Sequence, residues 1–208
     1  MVSTNPHSAA GKSDVFIDIV EDDPALAEGL VMLFQSRGHM ARHFSNGESF
    51  LASVRNTGKQ AQNSMAGCIL MDLRLPTISG LVVFDQLQAL DLPFVKPVIF
   101  LTGHGEMELA IDVLTRGAFD FVPKPFDSDQ LVIKVEKAIE ISHSHREHAI
   151  LKQNVLERMQ QLTVKEIQVM RAIIEGHSSR EIAESSGNSI RTIELHRAHV
   201  LQKLGVHN

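Results

Sequence analysis

The stretch VFIDIVEDD, Val15 to Asp23, places an apolar run broken only by Asp18 directly before three consecutive carboxylates. An apolar run without polar alternation reads as a strand buried on both faces, as in a parallel sheet. Three more runs follow the same rule: residues 68–71 end at Asp72, residues 98–101 end at Thr102, and residues 119–122 stop just before Lys124 and Pro125. In an open α/β sheet the side chains at the carboxyl ends of adjacent strands converge in one crevice. Glu21, Asp22, Asp72, Thr102 and Lys124 are therefore expected to meet. Carboxylates, a hydroxyl and an ammonium in one place suit a hard divalent cation and a phosphoryl group. Any one of these residues alone reads more simply as a turn former, a helix cap or a solvated charge. Asp18 sits where an apolar side chain fits better, so it is expected near the wet end of its strand or paired, without a catalytic role.

Outward from these strings the chain alternates. Asp22 or Asp23 can cap a helix beginning near Pro24, with Leu26, Leu30, Leu33 and Phe34 at helical spacing and Gly38 as its stop. A strand over residues 39–44, a helix over 47–55, a polar loop over 56–64, a helix over 81–90 capped by Ser79, and a helix over 106–116 stopped by Gly117 complete the pattern. The alternation implies an α/β fold with a doubly wound, five-stranded parallel sheet.

After Pro125 only helices remain. Residues 128–158 contain neither Gly nor Pro and read as one long helix or two abutting ones, chiefly a linker, whose heptad register is broken by Ser142, His145 and Lys152. The histidine-rich run over residues 142–148 reads as a hydrated helix face, and no metal is assigned to it. Thr163 with Glu166 three residues on marks the start of the next helix, with Ile167, Met170, Ile173 and Ile174 on one face. A short helix opens at Ser178 or Ser179, Gly187 breaks it, and Ser189 caps a third helix running to Leu204. Two short helices at a tight turn form a helix-turn-helix, whose second helix enters the major groove of DNA. The division is 14–127 for the α/β domain, 128–160 for a helical linker that includes that domain's last helix, and 161–208 for a small all-α domain.

Composition limits the alternatives. A chain of 208 residues with 43% apolar content can bury one ordinary core and a small second one. No apolar run approaches the roughly 18 residues that span a bilayer, and residues 1–13 are polar, so a cytoplasmic protein without membrane contact is expected. The single cysteine, Cys68, lies within an apolar strand and excludes disulfides. The net charge of −5 is unevenly shared: from Leu162 onward six basic residues stand against five acidic ones, which leaves the acid in the first domain and Arg191, Arg197 and Lys203 near the end.

These strings resemble the two-component response-regulator receiver family joined to a LuxR-type output domain, the layout of the NarL/FixJ subfamily. The receiver resemblance rests on Glu21-Asp22, on Met71-Asp72-Leu73-Arg74-Leu75-Pro76 with Ser79-Gly80, on Leu101-Thr102-Gly103-His104-Gly105, and on Lys124-Pro125-Phe126. The output resemblance rests on Leu162-Thr163, Glu166, Gly176, Ile182-Ala183, Arg191-Thr192-Ile193 and His196-Arg197. The resemblance implies a flavodoxin-like receiver in which Asp72 accepts a phosphoryl group from a sensor histidine kinase, with Mg²⁺ held by Glu21, Asp22, Asp72 and the Arg74 backbone carbonyl. Lys124 and Thr102 would contact phosphoryl oxygens, Thr102 and Phe121 would form the switch, and Arg74 and His104 would set the phosphoryl lifetime.

For the output domain the resemblance implies promoter DNA as a partner and a homodimer on phosphorylation. Ser189, Arg191 and Thr192 lie where a helix start meets phosphates. Glu194, Leu195 and Ala198 are expected to face base edges, and His196, Arg197 and Lys203 to reach phosphates or bases. The family's output domain usually carries a fourth helix after the recognition helix, which supplies a dimer contact and is expected to be missing here, because the chain stops at Asn208.

The function expected is a phosphorylation-activated transcription regulator, not an enzyme beyond its own phosphorylation and dephosphorylation. The alternative is a signalling module whose output is protein–protein interaction. A free-standing Mg²⁺-dependent phosphatase is a distant third, because no second group of residues signals a small-substrate cavity.

Overall fold

The computed structural model describes residues 15–56, 66–90, 92, 94–103 and 107–206. The polar loop over 56–64, apart from Asn56, falls outside the described residues, as do His104 and the first residue of the helix expected over 106–116. The elements run β1 (Val15–Val20), α1 (Pro24–Ser36), β2 (Met40–Phe44), α2 (Gly47–Asn56), β3 (Ala66–Asp72), α3 (Gly80–Gln88), β4 (Val98–Thr102), α4 (Met107–Thr115), β5 (Asp120–Pro123), α5 (Ser128–Gln160), α6 (Val164–Ile174), α7 (Ser179–Ser186) and α8 (Ile190–Leu204). The five strands form one parallel sheet in the order β2-β1-β3-β4-β5. That order reverses direction at β1 and β3, so the connections after these two strands leave on opposite sides and open a crevice at their carboxyl ends.

Alternate residues of the strands fill two cores. One face sets Val15, Ile17, Ile19, Cys68 and Leu70 against Leu30 and Phe34 of α1 and Leu131, Val132, Val135 and Ala138 of α5. The other sets Val20, Ile69, Met71, Val98 and Phe100 against Phe50 of α2, Val83, Phe84 and Leu87 of α3, and Val113 of α4. At about 1.5–3 kcal/mol for each large apolar side chain fully buried, these two layers carry the fold. Cys68 is enclosed in the first, and burial pushes its thiol up to about 12, so it behaves as a small apolar residue.

Asp18 is paired, as one branch of the sequence reading expects. It is buried in mid-sheet, 2.6 Å from an Arg42 guanidinium nitrogen and 3.0 Å from the Lys96 ammonium. Arg42 in turn lies over the Phe16 ring at 4.9 Å. Two cations around one carboxylate offset the cost of taking its charge out of water.

The chain divides into two compact units, Met1–Ala149 and Ile150–Asn208, and the division falls inside the single helix α5. The first part of α5 belongs to the sheet's core. Ser142 there corrects the sequence reading, which took it as a break in a solvent-facing stretch. It is fully buried, and its Oγ accepts the Gly67 backbone N–H at 3.0 Å, satisfying a donor at the start of β3.

The second unit packs α6, α7 and α8 around Val169, Ile182, Ala183 and Ile193. Thr163 and Glu166 form a reciprocal capping box at α6, and Ser178 and Glu181 form another at α7. Gly187, at φ +66°, turns the chain from α7 into α8 in the left-handed conformation that glycine adopts without strain.

Candidate functional site

The strand ends bring the expected side chains of the first unit together. Glu21 and Asp72 are buried and Asp22 is exposed, and one carboxylate oxygen from each lies within 4.8 Å of the others. The Lys124 ammonium stands 2.7 Å from a Glu21 oxygen and 2.7 Å from Asp72 Oδ2. The other Asp72 oxygen accepts the Arg74 backbone N–H at 2.9 Å. Gly80 makes this loop possible, since a Cβ at that position would come within 2.1 Å of the Asp72 carbonyl oxygen. Asp23 serves differently: it caps α1, accepting the Ala25 N–H at 2.9 Å, which resolves the choice between Asp22 and Asp23.

Thr102 is buried at the end of β4, and its carbonyl accepts the Lys124 N–H at 2.7 Å, so the backbones of these two residues are joined. Phe121, opposite Phe100 in the β4–β5 register, is half-buried against the second core layer. The Lys124–Pro125 peptide is cis.

Among the described residues three carboxylates stand near the Lys124 ammonium in this crevice. Burial pushes the Glu21 carboxyl above its ordinary range; the Lys124 hydrogen bond opposes this and the Asp72 charge adds to it. Burial pulls the Lys124 ammonium down, but its hydrogen bonds and attraction to Asp72 and Glu21 outweigh that and hold it above its ordinary value. A set of hard oxygen donors with excess negative charge fits a hard divalent cation. The arrangement sets the Asp72 carboxylate beside the Lys124 ammonium, with Thr102 buried at the end of the neighbouring strand.

In the second unit Ser189 caps α8 by accepting the Thr192 N–H at 3.1 Å, and its hydroxyl pairs with the Thr192 hydroxyl at 2.8 Å. Arg191, Glu194, Leu195 and Ala198 are exposed, Leu195 at 56%, while Ile193 and Val200 on the opposite face are buried. Arg197 is half-buried. His196 is half-buried too, and its buried Nδ1 has no hydrogen-bond partner among the described residues, so the ring turns partly inward and not only toward a ligand.

Lys203 has a partner that the sequence reading did not name. It is committed within the unit, with its ammonium 2.7 Å and 2.9 Å from the two oxygens of Glu166 on α6. Sequence reasoning gave Glu166 only its capping role; a partner 37 residues away on another helix leaves no trace in local spacing.

The matches with known proteins follow the two units. Residues 17–136 match the response regulator receiver domain. The chain belongs to the response-regulator family. Residues 160–208 match the bacterial regulatory proteins of the luxR family. The chain is 37% identical over 192 residues to the C4-dicarboxylate transport transcriptional regulatory protein DctR of Rhodobacter capsulatus, a match covering 92% of this chain and 94% of that one. It is 34% identical over 188 residues to the tetrathionate response regulatory protein TtrR of Salmonella typhimurium, covering 90% and 85%. Among solved structures, response regulator StyR superposes with a TM-score of 0.80 at 28% identity, covering 94% of each chain. Full-length FixJ from B. japonicum superposes with a TM-score of 0.56 at 31% identity, covering 94% and 92%.

A receiver joined to a LuxR-type DNA-binding domain makes a phosphorylation-activated transcription regulator, with a histidine kinase upstream and DNA downstream. No helix among the described residues is long and apolar enough to cross a membrane.

Proposed function

We propose that Asp72 is the phosphoryl acceptor, that Mg²⁺ binds at Glu21, Asp22, Asp72 and the Arg74 carbonyl, and that phosphorylation promotes a homodimer that binds promoter DNA. The observation that carries this reading is the Lys124 ammonium bridging Asp72 and Glu21 at 2.7 Å each, beside a third carboxylate. Mg²⁺, when bound, neutralises charge on the entering phosphoryl group and on the carboxylate that attacks it. An Asp72 oxygen forms the new bond to phosphorus as the phosphorus–nitrogen bond of the donor histidine breaks, its electron pair returning to the imidazole. The Arg74 N–H orients Asp72 through its other oxygen. Lys124 is already beside the acceptor and pairs with a phosphoryl oxygen as charge is transferred, and the Thr102 hydroxyl donates to another. Arg74 and His104 modulate the later approach of water.

In the switch, Thr102 moves toward the phosphoryl group and Phe121 follows into the space left. The output runs through residues 161–208, joined to the receiver over 14–127 by the helical segment 128–160. DNA is met by the start of α8, with Ser189, Arg191 and Thr192 at phosphates, Glu194, Leu195 and Ala198 at base edges, and Arg197 beside them.

Labelling with a small phosphodonor and Mg²⁺ tests the acceptor. The parent takes up label and Asp72→Asn takes up none, while both give the same helical signal; equal labelling of the variant overturns the assignment. After donor removal, Arg74→Ala and His104→Ala change the rate at which label is lost more than the rate of uptake. An equal change in both rates points instead to damage at the metal site.

A further inference from the structure

Four apolar residues form the buried cluster among α6, α7 and α8, which is little for three helices. Polar ties at the carboxyl end of α8 add to it, and one comes from the linker. Arg158, in the last turn of α5, donates from Nη1 to the Leu204 carbonyl at 2.9 Å. Leu204 ends α8, where the last carbonyls lack partners within the helix and the helix dipole favours a cation. Gly205 follows at φ +66°, and a Cβ there would come within 2.8 Å of Arg158 Nη1, so the chain is shaped to admit the guanidinium. One residue before Leu204, Lys203 is tied to Glu166 of α6. Residues 150–160 accordingly belong to the same compact unit as α8, although the luxR-family match begins only at residue 160.

We propose that Arg158 is a positioning residue for DNA recognition, holding the carboxyl end of α8 to the end of the linker helix so that the Arg191–Ala198 face stands at a fixed angle. A helix of this length is about 22 Å long, so a pivot of about 5° at one end moves the other by about 2 Å, enough to break base-edge hydrogen bonds. Arg158 acts through the Leu204 carbonyl and need not touch DNA.

The inference rests on the DNA-binding reading of α8, and the test separates the two. The full chain is titrated with a duplex that the parent selects from a random pool, at several salt concentrations and well below the melting temperature of every variant. Arg158→Ala and Arg158→Met, which lack the donor, weaken binding roughly three- to tenfold, the equivalent of one lost hydrogen bond, and Arg158→Lys recovers part of the loss. The slope of log affinity against log salt stays at the parent value. Parent-like affinity in Arg158→Met overturns the proposal by leaving the contact only structural, and a slope reduced by about one overturns it by making Arg158 a phosphate contact. If the parent selects no duplex, the DNA reading itself fails. Amide exchange at Gly205 and Val206 then decides the tether: faster exchange in Arg158→Met supports it, and unchanged exchange overturns it.

Discussion

Asp72 in the strand-end crevice and Glu166 on α6 each hold a lysine ammonium at 2.7 Å, and their side chains are only 10% and 4% exposed. Their surroundings differ. Lys124 is shared between Asp72 and Glu21 with Asp22 close by, so among the described residues this cation has three carboxylates near it. Glu166 holds Lys203 with both oxygens, takes the Thr163 N–H at 2.7 Å, and has His199 Nδ1 at 3.7 Å. In the first pairing, burial foremost and then the neighbouring Asp72 charge push Glu21 up despite the Lys124 hydrogen bond. The second is closed, and Glu166 is pushed down to about 2, by the Lys203 hydrogen bond first and the Thr163 N–H second. A buried ion pair is thus a site where charge is left uncompensated and a joint where it is balanced.

The largest effect that can break this contrast is removal of the two lysines. Lys124→Met should slow phosphoryl transfer to Asp72 about 100-fold, the scale for losing one preorganised electrostatic contact to a transition state. Lys203→Met should leave that rate unchanged and loosen the second unit instead. Stopped-flow labelling of both variants measures the difference; equal slowing would mean that the crevice and the α6–α8 joint are not independent.

Next in size is the link from the crevice outward. Thr102→Ala should still accept the phosphoryl group at Asp72 but lose about tenfold of the phosphorylation-dependent gain in self-association and DNA affinity, the size of a typical coupling energy. Sedimentation velocity and DNA titration, with and without beryllofluoride, read it. A variant that gains as much as the parent removes the Thr102–Phe121 route and moves attention to α5.

The same contrast explains what the sequence made legible. Asp72, Thr102 and Lys124 each end or follow an apolar run, and strand topology alone forces such positions together, so order along the chain was enough to find the crevice. The capping box at α6 was readable because Thr163 and Glu166 are three residues apart, whereas at α7 only the serine start was read and the Glu181 half of its box was not. The Glu166 partner of Lys203 was not legible because that carboxylate lies 37 residues away on another helix. Asp18 could be placed only as wet or paired, since Arg42 and Lys96 lie 24 and 78 residues off. Ser142 looked like a defect in an apolar register until the Gly67 N–H, 75 residues distant, supplied its purpose. Arg158 gave no signal at all, because its acceptor is a main-chain carbonyl and any residue could provide one.

The smallest effect tests the closed pair by pH. The folded-state value of Glu166, about 2, lies below its ordinary 4.5, so the ionised carboxylate stabilises the folded unit. That contribution is fully present above about pH 4.5 and is lost as pH falls through about 2. Glu181, held below its ordinary value by the Ser178 N–H and hydroxyl, pulls in the same direction. In Glu166→Gln the acid-side decline should therefore become shallower without vanishing, because Glu181 still drives it. The chain has neither Trp nor Tyr, so fluorescence cannot follow the unit, and backbone resonances of α6 and α8 must report it during an acid titration. Above pH 4.5 the variant should be the less stable of the two, and toward pH 2 the curves should converge as the parent loses what the substitution removed. Curves that stay parallel over that window would show that Lys203 and the Thr163 N–H do not hold the Glu166 charge, and the distinction between a balanced joint and an uncompensated site would fail at its balanced end.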